Sequence, residues 1–225
     1  MNSRWKLIAY LLVLLVAMPL VAGCEAFEEE EPEEEEPPPP SAQEIAGSFR
    51  QAYASLQQNY MHREARIPES QKNEALQQLQ SARSQYAGTE NAPEGMRRAA
   101  GEVEDLIRQA NEQEAWSLVI FGVQALQVLD PGNERYERLA ERAQLHLNRP
   151  EVEIRGFYTD QETQQTMAFM NVYLPEEDRQ ERVQVSPGEE FLGLRFDEII
   201  GRNRGVRLEY LATNEIFEVT YRRSR

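Results

Sequence analysis

The chain has 225 residues, 40% hydrophobic and 28% charged, which is enough for one globular domain or two small ones. Its formal net charge is -15. A surface of this sign repels phosphate groups, whereas nucleic-acid-binding proteins need a basic footprint, so we expect no nucleic-acid partner.

The first residues have the composition of an export signal. Two cationic residues, Arg4 and Lys6, precede the apolar run Leu7–Met18. A run of this length is too short to span a bilayer comfortably as a helix. We therefore predict a signal peptide over residues 1–23. The alternative is an uncleaved membrane anchor that runs through to Ala22.

The only cysteine, Cys24, ends the sequence Leu20-Val21-Ala22-Gly23-Cys24, in which its neighbours are small. This ending resembles the lipobox of bacterial lipoproteins. The resemblance implies that the Cys24 thiol takes a diacylglycerol, that the signal is cleaved before it, and that its amine is then acylated. Three acyl chains hold a protein stably on a membrane. We therefore predict a bacterial envelope lipoprotein, anchored to membrane lipid through Cys24, with its body outside the cytoplasm.

Residues 24–40 join this anchor to the rest of the chain and are rich in acid and proline. Nine of the 39 acidic residues lie in 25–36, and four prolines follow. Proline and like charges keep a chain extended, so we predict a disordered tether of roughly 3 Å per residue. The alternatives are an acidic recognition segment or a calcium-binding segment, but an ion site would need a turn geometry that this run lacks.

Residues 41–150 predict a helical domain, because apolar residues recur at steps of three and four. Pro68 and Gly88 separate the first three helices, and Pro93 lies near the start of the third. The fourth is the most apolar and is placed at the centre of the bundle. Asn133 is the predicted N-cap of the fifth. The apolar stripes of the five helices cover residues 45–60, 75–86, 96–110, 116–129 and 136–147.

The turn between the last two of these helices is Leu129-Asp130-Pro131-Gly132-Asn133. It resembles the helix boundaries of tetratricopeptide repeats. The resemblance covers this turn and the helices beside it, and it implies repeat-like helical hairpins. A groove in such a bundle could accept a peptide. Packing of its aromatic side chains in the core is the other interpretation.

After Pro150 the hydrophobic period changes from 3.6 to 2, which predicts strands over residues 151–225. Ser186-Pro187-Gly188-Glu189 has the residues of a type II turn. Six short strands predict a small antiparallel β sandwich or barrel. The whole chain is therefore α+β, with a helical domain before a β-domain. The six strands carry the alternating residues 152–156, 167–174, 183–185, 192–196, 206–210 and 217–221.

Part of this β-domain carries a set of turn glycines and apolar residues, namely Val185, Gly188, Glu189, Phe191 and Gly193, followed by Gly205 to Leu208. The pattern resembles the periplasmic β-domain of the pilus-assembly lipoprotein P and of the type II secretion protein C homology region. Those domains bind secretin channels or inner-membrane assembly partners. The resemblance implies a similar interaction role here.

The last strand is the predicted interaction edge. As the final strand, it has only one strand adjacent in sequence with which it is sure to pair. Phe217, Val219 and Tyr221 would form its apolar face, and an unpaired edge can accept a strand from a partner. A sheet closed by this strand is the other interpretation.

No pattern in the chain predicts catalytic, cofactor-binding or metal-binding residues. His62 and His146 lie on predicted helices without a partner at ligand spacing. The pairs Glu189-Glu190 and Asp197-Glu198 are adjacent in strands, and adjacent side chains point to opposite faces. The sequence thus favours a non-enzymatic envelope lipoprotein that binds or positions other envelope proteins. The alternative is an envelope hydrolase or a wall-modifying accessory enzyme.

Overall fold

The computed structural model describes residues 38–221, so the predicted signal peptide, Cys24 and most of the tether lie outside the described residues. Within residues 38–221, five helices are followed by seven strands in two antiparallel sheets, which confirms the predicted α+β class. The helices are α1 (Ala42–Tyr60), α2 (Glu69–Tyr86), α3 (Ala92–Glu112), α4 (Trp116–Leu129) and α5 (Glu137–Leu147). The strands are β1 (Glu151–Thr159), β2 (Thr166–Leu174), β3 (Arg179–Val185), β4 (Glu190–Phe191), β5 (Leu194–Ile200), β6 (Gly205–Tyr210) and β7 (Glu215–Thr220).

The helical part begins at a capping box. The Ser41 hydroxyl accepts from the Glu44 backbone N–H, and the Glu44 carboxylate accepts from the Ser41 N–H at 2.7 Å. Helix α4 is the most buried helix and packs against α2, α3 and α5, as its apolar sequence predicts. A Cβ on Gly122 would lie 2.7 Å from Ile107, so glycine at this position allows α3 and α4 to approach closely.

The two sheets pack on one apolar cluster. Their strand orders are β1-β2-β3 and β4-β5-β6-β7. Residues of both sheets, such as Met170 from β2 and Phe196 from β5, are buried in the same cluster. Within the described residues no ladder joins the two sheets, so of the two predicted alternatives the structure has the sandwich.

Two turns with positive φ angles lie between β3 and β5, and the second of them takes up the first two residues of a predicted strand. Gly188 has φ +90° and the Glu189 N–H donates to the Ser186 carbonyl at 3.1 Å, which confirms the type II turn. Leu192 and Gly193 both have positive φ, 47° and 76°, and form a two-residue hairpin turn. Leu192 is therefore not a strand residue, and a short additional strand, β4, precedes it.

Two predictions about the helices are wrong. His62 lies beyond the end of α1, which stops at Tyr60. Asn133 does not cap α5, because its side-chain oxygen accepts from the Arg135 N–H at 3.2 Å in a turn before the helix. The Asn133 side chain is hydrogen-bonded within its own loop. Helix α5 begins four residues later, at Glu137.

The helical and β parts have separate apolar clusters. The helical cluster contains Phe49, Phe121 and Leu126, and the β cluster contains Met170 and Phe196, with no residue in both. The contact between the two parts must therefore come from polar and partly buried side chains. Whether the parts fold independently stays a prediction.

Candidate functional site

The contact between the helical and β parts forms a cleft of about 630 Å³, which we call the joint cleft. Its helical side comes from the loop after α1, the start of α4 and the end of α5. Its β side comes from the start of β1 and from β7. The lining residues are Arg63, Glu64, Arg66, Trp116, His146, Leu147, Arg149, Glu151, Glu215, Ile216, Phe217 and Glu218.

Glu215, the first residue of β7, lies at the centre of the joint cleft. Its carboxylate accepts from Arg149 Nη1 at 2.8 Å and from Arg63, and it lies 3.3 Å from His146 Nδ1. The Glu215 side chain is only 21% exposed, so these bonds are stronger than those of an open surface pair. Two segments of the helical part, the loop after α1 and the end of α5, are thus held by one residue of the sheet.

Two contacts with aromatic rings restrict the side chains of His146 and Arg149, which bond to Glu215. The His146 ring stacks on Trp116 with centroids 4.2 Å apart and planes 7° from parallel. The Arg149 guanidinium lies 4.6 Å from the centre of the Phe217 ring, within the range of a cation–π interaction. The aromatic surfaces restrict the rotamers of both donors, so Glu215 meets a preformed set of N–H groups. His146 is a packing residue at this joint.

Most charged side chains that line the joint cleft are paired with an opposite charge. Arg66 pairs with Glu151 at 3.6 Å, and Arg63 pairs with Glu114 as well as with Glu215. His146 and Glu215 form an acid–base pair of the kind found in hydrolytic triads, but none of the described residues that line this cleft is a serine, cysteine or threonine. The arrangement is suited to holding the two parts of the protein in a fixed orientation.

The structure places the predicted edge residues at the end of a sheet. Within residues 38–221, β7 pairs with β6 alone. The side chains of Phe217, Val219 and Tyr221 are half-buried against the β cluster, and Ile216, which points outward, is 61% exposed. The aromatic residues therefore contribute to the core of the sheet, and the exposed apolar side chain of this strand is Ile216.

The hydrogen-bond pattern defines which backbone groups of β7 face outward. The Tyr221 N–H donates to the Arg204 carbonyl at 2.7 Å, and the register continues from this pair without a shift. In an antiparallel ladder such bonded pairs alternate with non-bonded pairs. The N–H groups of Ile216, Glu218 and Thr220 therefore point away from β6, to the outer edge of the sheet.

The remaining sequence candidates do not form a site. Glu189 accepts from the Ser186 N–H in its turn, while Glu198 pairs with Arg207 across the sheet. Among residues 38–221, no three histidine, cysteine, aspartate or glutamate side chains are grouped closely enough to hold a metal ion. Cys24, the predicted lipid attachment site, lies outside the described residues.

In the described part of the chain, no helix has both the length and the apolar character needed to cross a membrane.

The chain was compared with protein-family models, with curated proteins and with solved structures. None of them matches. The candidate site therefore depends on its geometry alone. Sequence reasoning missed its central residue, because Glu215 is 69 residues from His146 and 152 from Arg63, and no local spacing connects them.

Replacing Glu215 by alanine is expected to weaken the contact between the helical and β parts by roughly 1–3 kcal/mol. The reason is that Arg63, His146 and Arg149 lose their common acceptor. The linker at residues 148–151 should then be cut faster by subtilisin, while circular dichroism shows unchanged helix and strand content. Glu209→Ala is the matched control, since Glu209 lies outside the joint cleft and its partner is Arg195 in the same sheet. Equal cutting rates for the two variants would mean that Glu215 does not hold the joint.

Proposed function

We propose that this protein is a lipid-anchored, non-enzymatic scaffold of the bacterial cell envelope. In this proposal Cys24 carries the lipid, residues 25–40 set the distance from the membrane, and the folded body binds other envelope proteins. The observation that carries the proposal is that, within residues 38–221, β7 forms a ladder with β6 alone and carries the exposed Ile216.

The joint cleft supports this interpretation. A scaffold must present its binding surface in a defined orientation, and Glu215 connects the sheet that carries this edge to the helical part. The tether enters the body at Pro40, whose carbonyl accepts from the Asn91 side chain at 3.0 Å. This contact and the joint cleft fix the position at which the tether leaves the body relative to the β7 edge.

The sequence supports an envelope location. The run Val21-Ala22-Gly23-Cys24 resembles a lipobox, and the acid and proline residues after it are suited to a spacer. The resemblance of the β-domain to those of the pilus and type II secretion proteins favours a partner in a secretion or pilus-type machine.

The test is a pull-down of the tagged, lipidated full chain from cross-linked bacterial membranes. A matched control carries residues 1–40 fused to an unrelated domain, so that it shares the anchor and lacks the body. We expect a defined set of envelope proteins to be enriched at least severalfold over this control. Identical sets from both proteins would contradict the scaffold function.

A further inference from the structure

A groove of about 550 Å³ lies between helix α5 and the turn that joins β6 to β7. One wall is the face of α5 that carries Arg138, Arg142 and Leu145, and the other is residues 212–214. The groove therefore has one wall from the helical part and one from the β part. We call it the α5 groove. Among the described residues, only His146 lines both this groove and the joint cleft, so the two are separate openings.

Two arginines of the α5 groove lie close together without an acidic partner. Arg138 and Arg142 are four residues apart, which places them on one face of the helix, about 6 Å apart along its axis. Within residues 38–221, the ion pairs in and beside α5 are those of Arg135, His146 and Arg149. In this described range, neither arginine of the groove takes part in one. Because like charges at this spacing destabilise a helix, an anionic group bound between the two arginines would remove a repulsion.

The α5 groove has an excess of positive charge in a protein that is acidic as a whole. Its two arginines face a single carboxylate, that of Glu141, among the described residues that line it. The formal net charge of the chain is -15. Carboxylates are thus repelled by the protein as a whole and attracted at this groove, which favours specific binding here. An acidic body is also repelled by an anionic membrane, so the charge pattern fits a protein segment better than a lipid surface.

An apolar position follows the two arginines along the same face of α5. Leu145 is three residues after Arg142, and 40% of its surface is exposed. Exposed Ala212 and Asn214 lie across the groove, on the turn. In an extended segment every second side chain points to the same side, at a spacing of about 6.6 Å. Carboxylates at positions i and i+2 therefore match the two arginines, and an apolar side chain at i+4 reaches Leu145.

We propose that the α5 groove binds an extended acidic segment of a partner protein with the pattern Glu-x-Glu-x-Leu. The two carboxylates pair with Arg138 and Arg142, and the leucine packs on Leu145. Because the walls of the groove come from the helical and β parts, the bound segment bridges these parts and strengthens their contact. This proposal rests on the proposed scaffold function, because it names the chemistry of a partner that the scaffold holds.

The first test uses a fluorescein-labelled peptide, Gly-Glu-Thr-Glu-Thr-Leu-Gly, and the full chain in uncharged detergent, with binding followed by fluorescence anisotropy. One control peptide has lysine in place of both glutamates. The other, Gly-Thr-Glu-Glu-Leu-Thr-Gly, has the same composition, but its adjacent carboxylates point to opposite sides. We expect the lysine peptide to bind at least about tenfold more weakly and the reordered peptide about threefold more weakly. Equal affinities for all three peptides would overturn the proposal.

The second test uses two double variants that each remove two positive charges. Arg138→Gln with Arg142→Gln changes the groove, and glutamine keeps a good helix former at both positions. Arg202→Gln with Arg204→Gln changes the turn before β6, at the other end of that strand from the groove. The first pair should weaken binding of the acidic peptide about five- to tenfold, and the second should leave it unchanged. Equal effects of the two pairs would mean that overall charge, and not the groove, holds the peptide.

The third test measures the bridge between the two parts. A saturating concentration of the acidic peptide should slow subtilisin cutting at residues 148–151 at least about threefold, because binding to both walls opposes their separation. The protection should be absent in the Arg138→Gln, Arg142→Gln variant. If the bound peptide leaves the cutting rate unchanged, the segment does not bridge the two parts.

Three further outcomes separate this proposal from others. If inorganic phosphate displaces the labelled peptide as well as the unlabelled peptide does, the groove is a simple anion site and the proposal is overturned. If the acidic peptide does not bind but envelope proteins are still enriched in the pull-down, the groove proposal is wrong and the scaffold function stands. If the peptide binds as expected but the pull-down matches its control, the groove proposal stands and the scaffold function is contradicted.

Discussion

Replacing Phe121 by alanine is expected to destabilise the helical part by about 3–5 kcal/mol, because its ring is fully buried in α4 and a cavity would remain. The ring packs beside Tyr53, with centroids 6.5 Å apart. Since the helical and β clusters share no residue, the sheets should keep most of their stability. Thermal unfolding followed by circular dichroism should change from one transition to two, with the helical signal lost first.

The matched control is Phe196→Ala, which removes an equally buried ring from the β cluster. It should lower the stability of the sheets and leave the helical transition in place. Both variants would also test whether residues 41–150 and 151–225 are separable domains. If each variant instead unfolds the whole chain in one cooperative transition, the two parts are a single folding unit.

Local features of this fold could be predicted because neighbouring residues determine them. The period of apolar residues placed α4 at the centre, and Pro187 and Gly188 specified their turn. The capping box at Ser41 and Glu44 is likewise local, since Ser-x-x-Glu before an apolar run is its sequence signature. Leu192 was misassigned because its apolar side chain fits a strand pattern while its φ of 47° belongs to a turn.

The contact between the helical and β parts at the joint cleft could not be predicted from local sequence. Glu215 binds Arg63 from the loop after α1, and His146 and Arg149 from the end of α5. A single glutamate in a strand and scattered arginines are common surface features, and only the tertiary fold brings them together. The approach of β1 to β7 also depends on packing, because the sequence does not specify that these two end strands lie beside each other.

Replacing Cys24 by serine is expected to abolish lipidation and to leave the signal peptide uncleaved. The thiolate is a far stronger nucleophile than a hydroxyl, and the lipobox resemblance makes the Cys24 sulfur the acceptor of the lipid. Metabolic labelling with a clickable fatty acid measures the effect, and the labelled band should disappear.

A positional control for this experiment is Ser41→Cys in the Cys24→Ser background. It restores a thiol at the start of the helical part without restoring the small residues before it. This double variant should remain unlabelled. Labelling of Cys24→Ser at the level of the unmodified protein would remove the basis for the anchor and for the envelope location.

The binding role of β7 is tested most directly by Thr220→Pro, with Thr220→Val as the control that keeps the backbone N–H. The Thr220 N–H points away from β6, so proline removes a donor from the outer edge while preserving the ladder to β6. In the pull-down from cross-linked membranes, the partner proteins should fall at least about fivefold with proline and stay unchanged with valine, since an added strand loses a hydrogen bond and meets the ring. If a folded Thr220→Pro protein retains its partners undiminished, the β7 edge is not the binding surface.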